Sequence, residues 1–125
     1  MKRITIMVED VTLTAELNES KTAQRIYDSL PLESTVNVWG DEIYFDIPVA
    51  LEQEPDARQD VDVGTLGYWP LGSAFCVFFG PTPVSSDDQP RAYSPLNVFG
   101  RVIGDAKILK KVSGGSTVRV EKTEN

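Results

Sequence analysis

The sequence predicts a mainly β domain, a closed barrel of about eight strands with two helices laid over it. Three observations carry that expectation. Short apolar runs alternate with polar residues at a period of two along much of the chain, tight-turn residues join successive runs, and only two segments place apolar residues at helical spacing. Closing such a sheet on itself would remove the exposed edges that template aggregation. The 125 residues are expected to form one domain, 1–125, which at this size buries roughly two-thirds of the surface the unfolded chain exposes.

At the N-terminus, Ile4, Ile6 and Val8 alternate with polar residues, and Val11, Leu13, Ala15 and Leu17 do the same. A turn at Glu9-Asp10 joins them into a hairpin with one apolar face. Ser20 is a suitable N-cap for a helix whose Ala23, Ile26, Tyr27 and Leu30 fall on one side and which Pro31 ends. Ser34 to Ile47 reads as a second hairpin turning at Gly40-Asp41, with glycine first, as a type II′ turn requires. Its register sends Val36, Val38, Ile43 and Phe45 to the core and Asn37, Trp39, Glu42 and Tyr44 to the other face. The plain reading of that second face is a cross-strand pair of Trp39 and Tyr44 worth a few tenths to about 1 kcal/mol.

Pro48 to Asp62 has no clear periodicity and reads as a solvated acidic loop. The longest apolar stretch follows, with strands Gly64–Trp69 and Ala74–Phe79 joined by Pro70-Leu71-Gly72-Ser73. In that register Trp69 faces Ala74, Tyr68 faces Phe75, Gly67 faces Cys76 and Leu66 faces Val77. Leu66, Tyr68, Phe75, Val77 and Phe79 form the core side. Thr65, Gly67, Trp69, Ala74, Cys76 and Phe78 form the other, a floor of small side chains beside aromatic walls that suits a ligand groove or a covering segment. Val84 to Pro95 is a polar loop, Leu96 to Ile103 a strand, and Asp105 caps a short helix carrying Ala106, Ile108, Leu109 and Val112. Gly114-Gly115 stops that helix, and Ser116 to Glu121 is expected to return beside the N-terminal hairpin.

Composition narrows the chemistry. The chain has no histidine and one cysteine, which excludes histidine-based triads and zinc centres. Cys76 reads as inert filling of an apolar strand. The stretch from Asp41 to Asp62 carries eight carboxylates against the single Arg58, an excess equal to the whole chain's net charge of -7. Such a balance argues against nucleic acid and anionic membrane as partners. Calcium is not expected either, because the carboxylates are not spaced around a central glycine, and no metal or cofactor is assigned. The apolar run after Met1 is short and interrupted by threonine, unlike a signal peptide or membrane span, so a cytoplasmic protein is expected; as to assembly, the expectation is a monomer or weak homodimer.

Several phrases carry a family resemblance. Gly64-Thr65-Leu66-Gly67, Gly72-Ser73-Ala74-Phe75 and Val98-Phe99-Gly100-Arg101-Val102 resemble the corresponding run of cyclophilin-type peptidyl-prolyl isomerases. Asn37-Val38-Trp39-Gly40-Asp41-Glu42-Ile43-Tyr44-Phe45, Gly67-Tyr68-Trp69-Pro70, Phe78-Phe79-Gly80-Pro81-Thr82-Pro83 and Asn97-Val98-Phe99-Gly100 more closely resemble a small prokaryotic cyclophilin-like family without an established activity. The resemblance covers nearly the whole chain and implies a small eight-stranded barrel. Cyclophilins place a Phe-His-Arg phrase after the first helix and a Gln-x-Phe later. Here Ser34 to Trp39 contains no arginine, and Ala74 and Cys76 stand where the Gln and Phe would be. Without the arginine that polarises the prolyl amide, ordinary isomerase activity is not expected.

The leading functional expectation is a binding module. Its groove would be built from Asn37, Trp39, Glu42, Tyr44, Trp69, Cys76 and Phe78 and take a small organic molecule or a peptide segment, with Glu42 or Asn37 fixing a polar or cationic group. The alternatives are an enzyme, either an atypical isomerase or one using Glu42 as general base, with no catalytic residue otherwise assigned, and a subunit whose aromatic face is covered by another protein.

Overall fold

The structure, a computed structural model, describes residues 2–123; Met1, Glu124 and Asn125, the ends of the expected domain, lie outside the described residues. β1 (Arg3–Val8) and β2 (Val11–Leu17) form the first hairpin and bury the whole apolar set from Ile4 to Leu17. α1 (Lys21–Asp28) begins at Ser20, whose hydroxyl accepts a hydrogen bond from the Ala23 amide at 3.1 Å, and it buries Ala23 and Ile26. Next come β3 (Leu32–Thr35), β4 (Asn37–Val38), β5 (Glu42–Asp46), β6 (Arg58–Asp60), β7 (Thr65–Trp69), β8 (Ala74–Phe78) and β9 (Arg91–Ile103). The chain ends with a 3-10 helix (Ala106–Lys111), capped by the Asp105 carboxylate on the Lys107 amide at 2.9 Å, and β10 (Thr117–Lys122).

All strand pairs are antiparallel, and the sheet runs β3-β10-β1-β2-β9-β7-β8-β5-β4, with β6 paired to β9 off that path. The expected closed barrel of about eight strands is therefore corrected to a mainly β sheet that, among the described residues, has ten strands and a ladder that does not close. Its two ends, β3 and β4, are successive parts of one stretch of chain. At Val36 that stretch leaves one neighbour for another: the Val36 amide donates to the Ser116 carbonyl at 2.9 Å and its carbonyl accepts from the Gly115 amide at 2.8 Å. Asn37 then pairs with Tyr44. Between β3 and β5 the Ser34 hydroxyl donates to the Asp46 carbonyl at 2.7 Å, a side-chain link where a backbone ladder would be needed for closure.

Both later hairpins take the register read from their turns, with Val38 opposite Ile43 and with Leu66, Gly67, Tyr68 and Trp69 opposite Val77, Cys76, Phe75 and Ala74. Gly40 has φ +59° while Asp41 is not among the positive-φ residues, the sign pattern of a type II′ turn. The main core lies on the inner face of the sheet, where Phe45 stacks on Phe75 at 4.7 Å between ring centres and Phe75 meets Phe99 edge-on at 5.0 Å. Val38, assigned to the core from its parity, is exposed because β4 is the last strand of the path and no further strand covers it.

The acidic stretch is anchored rather than loose. The Tyr68 hydroxyl donates to the Val49 carbonyl at 2.7 Å and accepts from the Leu51 amide at 3.1 Å. Buried Asn97 accepts from the Glu54 amide at 2.8 Å and donates to the Glu52 carbonyl at 2.9 Å. These bonds satisfy polar groups that would otherwise be costly to bury. They also carry the chain into β6, inside the segment read as loop. The loop expected to run to Pro95 ends earlier, because β9 starts at Arg91. Pro95 is accommodated between Arg91 and Leu96, where the β6–β9 register shifts, at a position that pairs with neither β6 nor β7.

Candidate functional site

The outer face of the β7–β8 hairpin supports a second, smaller apolar cluster: Ala74, Cys76 and Phe78 pack with Val61, Ala92 and Leu96, flanked by Tyr44, Trp69 and Val98. β6 and the first half of β9 thus lie across the floor of small side chains. Leu96 descends on Gly67 so closely that a Cβ there would sit 2.5 Å from its Cδ1, which explains a glycine in mid-strand.

Beside that cover a cavity of about 170 Å³ remains open, lined by Trp39, Glu42, Tyr44, Trp69, Cys76, Ala92, Tyr93 and Leu96. Register explains the convergence. Trp39 and Glu42 flank the turn and are joined by the Trp39 amide donating to the Glu42 carbonyl at 2.9 Å. Tyr44 is two residues further along the same face. It pairs with Cys76, which in turn pairs with Gly67, so the outer faces of both hairpins are continuous. Two-thirds exposed, Tyr93 stands between the tryptophans, edge-on to Trp39 and to Trp69 at 6.1 Å between ring centres in each case. The Trp69 ring lies over Gly72 of its own turn, and its indole N–H donates to the Ser94 hydroxyl at 2.6 Å. Trp39 finds its aromatic partner in Tyr93 and not in Tyr44.

Glu42 is the polar centre of this wall. It is only 5% exposed, and burial pushes its carboxyl up from 4.5 to about 7, with the neighbouring Cys76 thiol acting in the opposite direction. No ion pair or side-chain hydrogen bond among the described residues gives this carboxylate a cation. Burial, and then the negative charge of Glu42, push the Cys76 thiol well up, so it stays protonated and is a poor nucleophile. Asp41, next in sequence, faces Lys110 at 3.9 Å instead.

Of the residues singled out from sequence, Trp39, Glu42, Tyr44, Trp69 and Cys76 line the cavity and two do not. Asn37 is exposed further along the hairpin, its amide donating to the Tyr44 carbonyl at 3.4 Å. Phe78 is fully buried in the second cluster. Ala92, Tyr93 and Leu96 were not foreseen, since they fall in the Val84 to Pro95 loop or just after it. The aromatic and apolar residues between Ala92 and Phe99, interrupted by one proline, were the available signal. No arginine lines the cavity; Arg91 is held by Asp60 at 2.9 Å. Among the described residues no group of three or more His, Cys, Asp or Glu is placed to hold a metal, and no helix is long and apolar enough to cross a membrane.

A family model described as cyclophilin-like matches residues 2–121. The solution structure of a hypothetical protein from Archaeoglobus fulgidus is similar to this chain at 41% identity and a TM-score of 0.83, covering 98% of this chain and 95% of that one. No curated protein matches the sequence.

Proposed function

The chain belongs to the cyclophilin-like family, and on that premise we propose that it is a binding module that takes a small organic molecule or a peptide segment into the cavity between Trp39 and Trp69. Fold membership alone assigns no activity. The observation that supports the reading is a buried carboxylate without a counter-charge among the described residues, Glu42, set into a cavity walled by four aromatic side chains. A volume of about 170 Å³ is close to the roughly 150 Å³ of an apolar cavity that takes up benzene. It suits one ring or one compact branched group of a ligand whose remainder lies outside. In this reading the domain works as a monomer or weak homodimer in the cytoplasm, with neither nucleic acid nor membrane as partner.

Thermal melting against a library of ring-sized fragments tests this. Fragments that raise the Tm of the wild type but not of Trp39→Ala or Trp69→Ala support the proposal, by the mass-action stabilisation that binding brings. Stabilisation that survives both substitutions overturns it.

One observation favours a second reading, an enzyme with Glu42 as general base: a carboxyl near 7 is poised for proton transfer at neutral pH. The other proton-transfer groups of the lining are a thiol held protonated and the phenols of Tyr44 and Tyr93. Prolyl isomerisation is not part of that reading, because the lining supplies no arginine for the amide.

A further inference from the structure

We propose that the group this cavity accepts is a methylated organic ammonium, a tertiary or quaternary amine head held by Glu42 within the faces of Trp39, Tyr44, Trp69 and Tyr93. The inference rests on the binding reading above and names its ligand class. Three properties of the site converge on it.

The first is charge. Glu42 is 5% exposed and has no cation among the described residues, and a carboxylate withdrawn from water without a counter-charge is costly. A ligand cation removes that cost, whereas a ligand carboxylate or phosphate would add to it. The second is the walls. Trp39, Tyr93 and Trp69 are set edge-to-face in succession, so neighbouring rings present differently directed surfaces to one space. Tryptophan and tyrosine faces attract cations, most strongly when the cation is desolvated.

The third property separates ammonium types. A primary ammonium has three N–H donors to satisfy, and beyond one carboxylate and two phenols this lining offers indole, alkyl and thiol groups. A methylated ammonium spreads its charge over C–H groups and has one N–H donor or none. A trimethylammonium head is also about as bulky as benzene, which suits a volume of about 170 Å³.

The test is calorimetric titration of the full chain at pH 8 with choline, tetramethylammonium, glycine betaine and 3,3-dimethylbutanol, the uncharged isostere of choline. Choline and tetramethylammonium should bind at least about tenfold tighter than the isostere, a difference of about 1.4 kcal/mol, and betaine should bind more weakly than choline. In Glu42→Gln the preference for choline over the isostere should fall toward one. Trp39→Leu keeps apolar bulk while removing a π face, and it too should narrow the preference. A peptide bearing trimethyllysine distinguishes the source: if it binds and choline does not, the ammonium belongs to a protein side chain and the ligand class stands. Equal affinity for choline and the isostere overturns the ammonium assignment and leaves the binding cavity intact. If none of these compounds binds, and the fragment library also fails, the cavity reading and this inference fall together.

Discussion

Replacing Glu42 by glutamine should make the stability of the protein less dependent on pH between 5 and 8. The folded carboxyl sits at about 7 against an ordinary 4.5. Between those values the folded protein therefore holds a proton that the unfolded chain has already released. Stability then falls as pH rises from 4.5 through 7 and levels off above it. At about 1.4 kcal/mol per pH unit the gap is worth about 3 kcal/mol, about three-quarters of it expressed between pH 5 and 8. That is a large part of the 5–15 kcal/mol typical of a domain. Glutamine has the same shape and no charge. Whatever constant amount its amide loses by going unpaired, about 1–3 kcal/mol, the variant should gain about 2–3 kcal/mol relative to the wild type between pH 5 and pH 8.

The titratable groups that line the cavity with Glu42 are Cys76 from β8, Tyr44 from its own strand and Tyr93 from β9. The thiol is pushed upward and titrates above this window. Glu9, in the turn between β1 and β2, is held low by the Ser113 amide and the Ser116 hydroxyl, and its contribution is lost only below this range. Urea titrations of both proteins at pH 5, 6, 7 and 8 give the comparison. Parallel stability profiles would refute the reasoning and place the carboxylate in water.

Phe45→Ala and Phe75→Ala remove stacked, fully buried rings and should each cost about 3–5 kcal/mol. Trp39→Ala, at a half-buried cavity wall, should cost about 1 kcal/mol, and Trp69→Ala about 1–2 kcal/mol because it also loses the bond to Ser94; tryptophan losses equal to the phenylalanine losses in denaturant titrations would make these rings core. Proline isomerisation of a standard Xaa-Pro peptide should be at background in a coupled assay, and robust turnover that survived Arg91→Ala and Arg101→Ala would contradict the role given to the missing arginine. Micromolar calcium or magnesium should leave the Tm unchanged, since the acidic stretch lacks ligand spacing, and a saturable rise would show a site there.

Much of the local structure was legible because turns set phase. Once Gly40-Asp41 and Pro70 to Ser73 were read as turns, strict alternation assigned Trp39, Glu42 and Tyr44 to one face and Trp69 and Cys76 to another. Alternation gives the face of a side chain but not its depth, and depth is where the reading failed. Phe78 has the right parity, yet it lies in the cluster with Val61 and Leu96. Asn37 has it too, but lies beyond the cavity. That the two faces share one cavity depends on the pairing of Tyr44 with Cys76, a contact between hairpins that no local pattern fixes. Tyr93 was hidden by prolines at 90 and 95, which make a strand look like a loop. Closure was misjudged for a related reason: whether the ends of a sheet bond to each other is settled at one residue, Val36, where the chain changes neighbours.

The most direct test of the aromatic cavity as a binding site uses the fact that the chain contains only two tryptophans. A nitrogen-labelled sample therefore gives two indole N–H signals, one from each wall. Titration with tetramethylammonium chloride, set against sodium chloride at equal ionic strength, should move both signals along saturating curves with one dissociation constant. The backbone amides of Ile4 and Ile6, buried in the separate main core, should stay in place. Indole signals that respond alike to both salts, or shifts centred elsewhere on the molecule, would contradict the account.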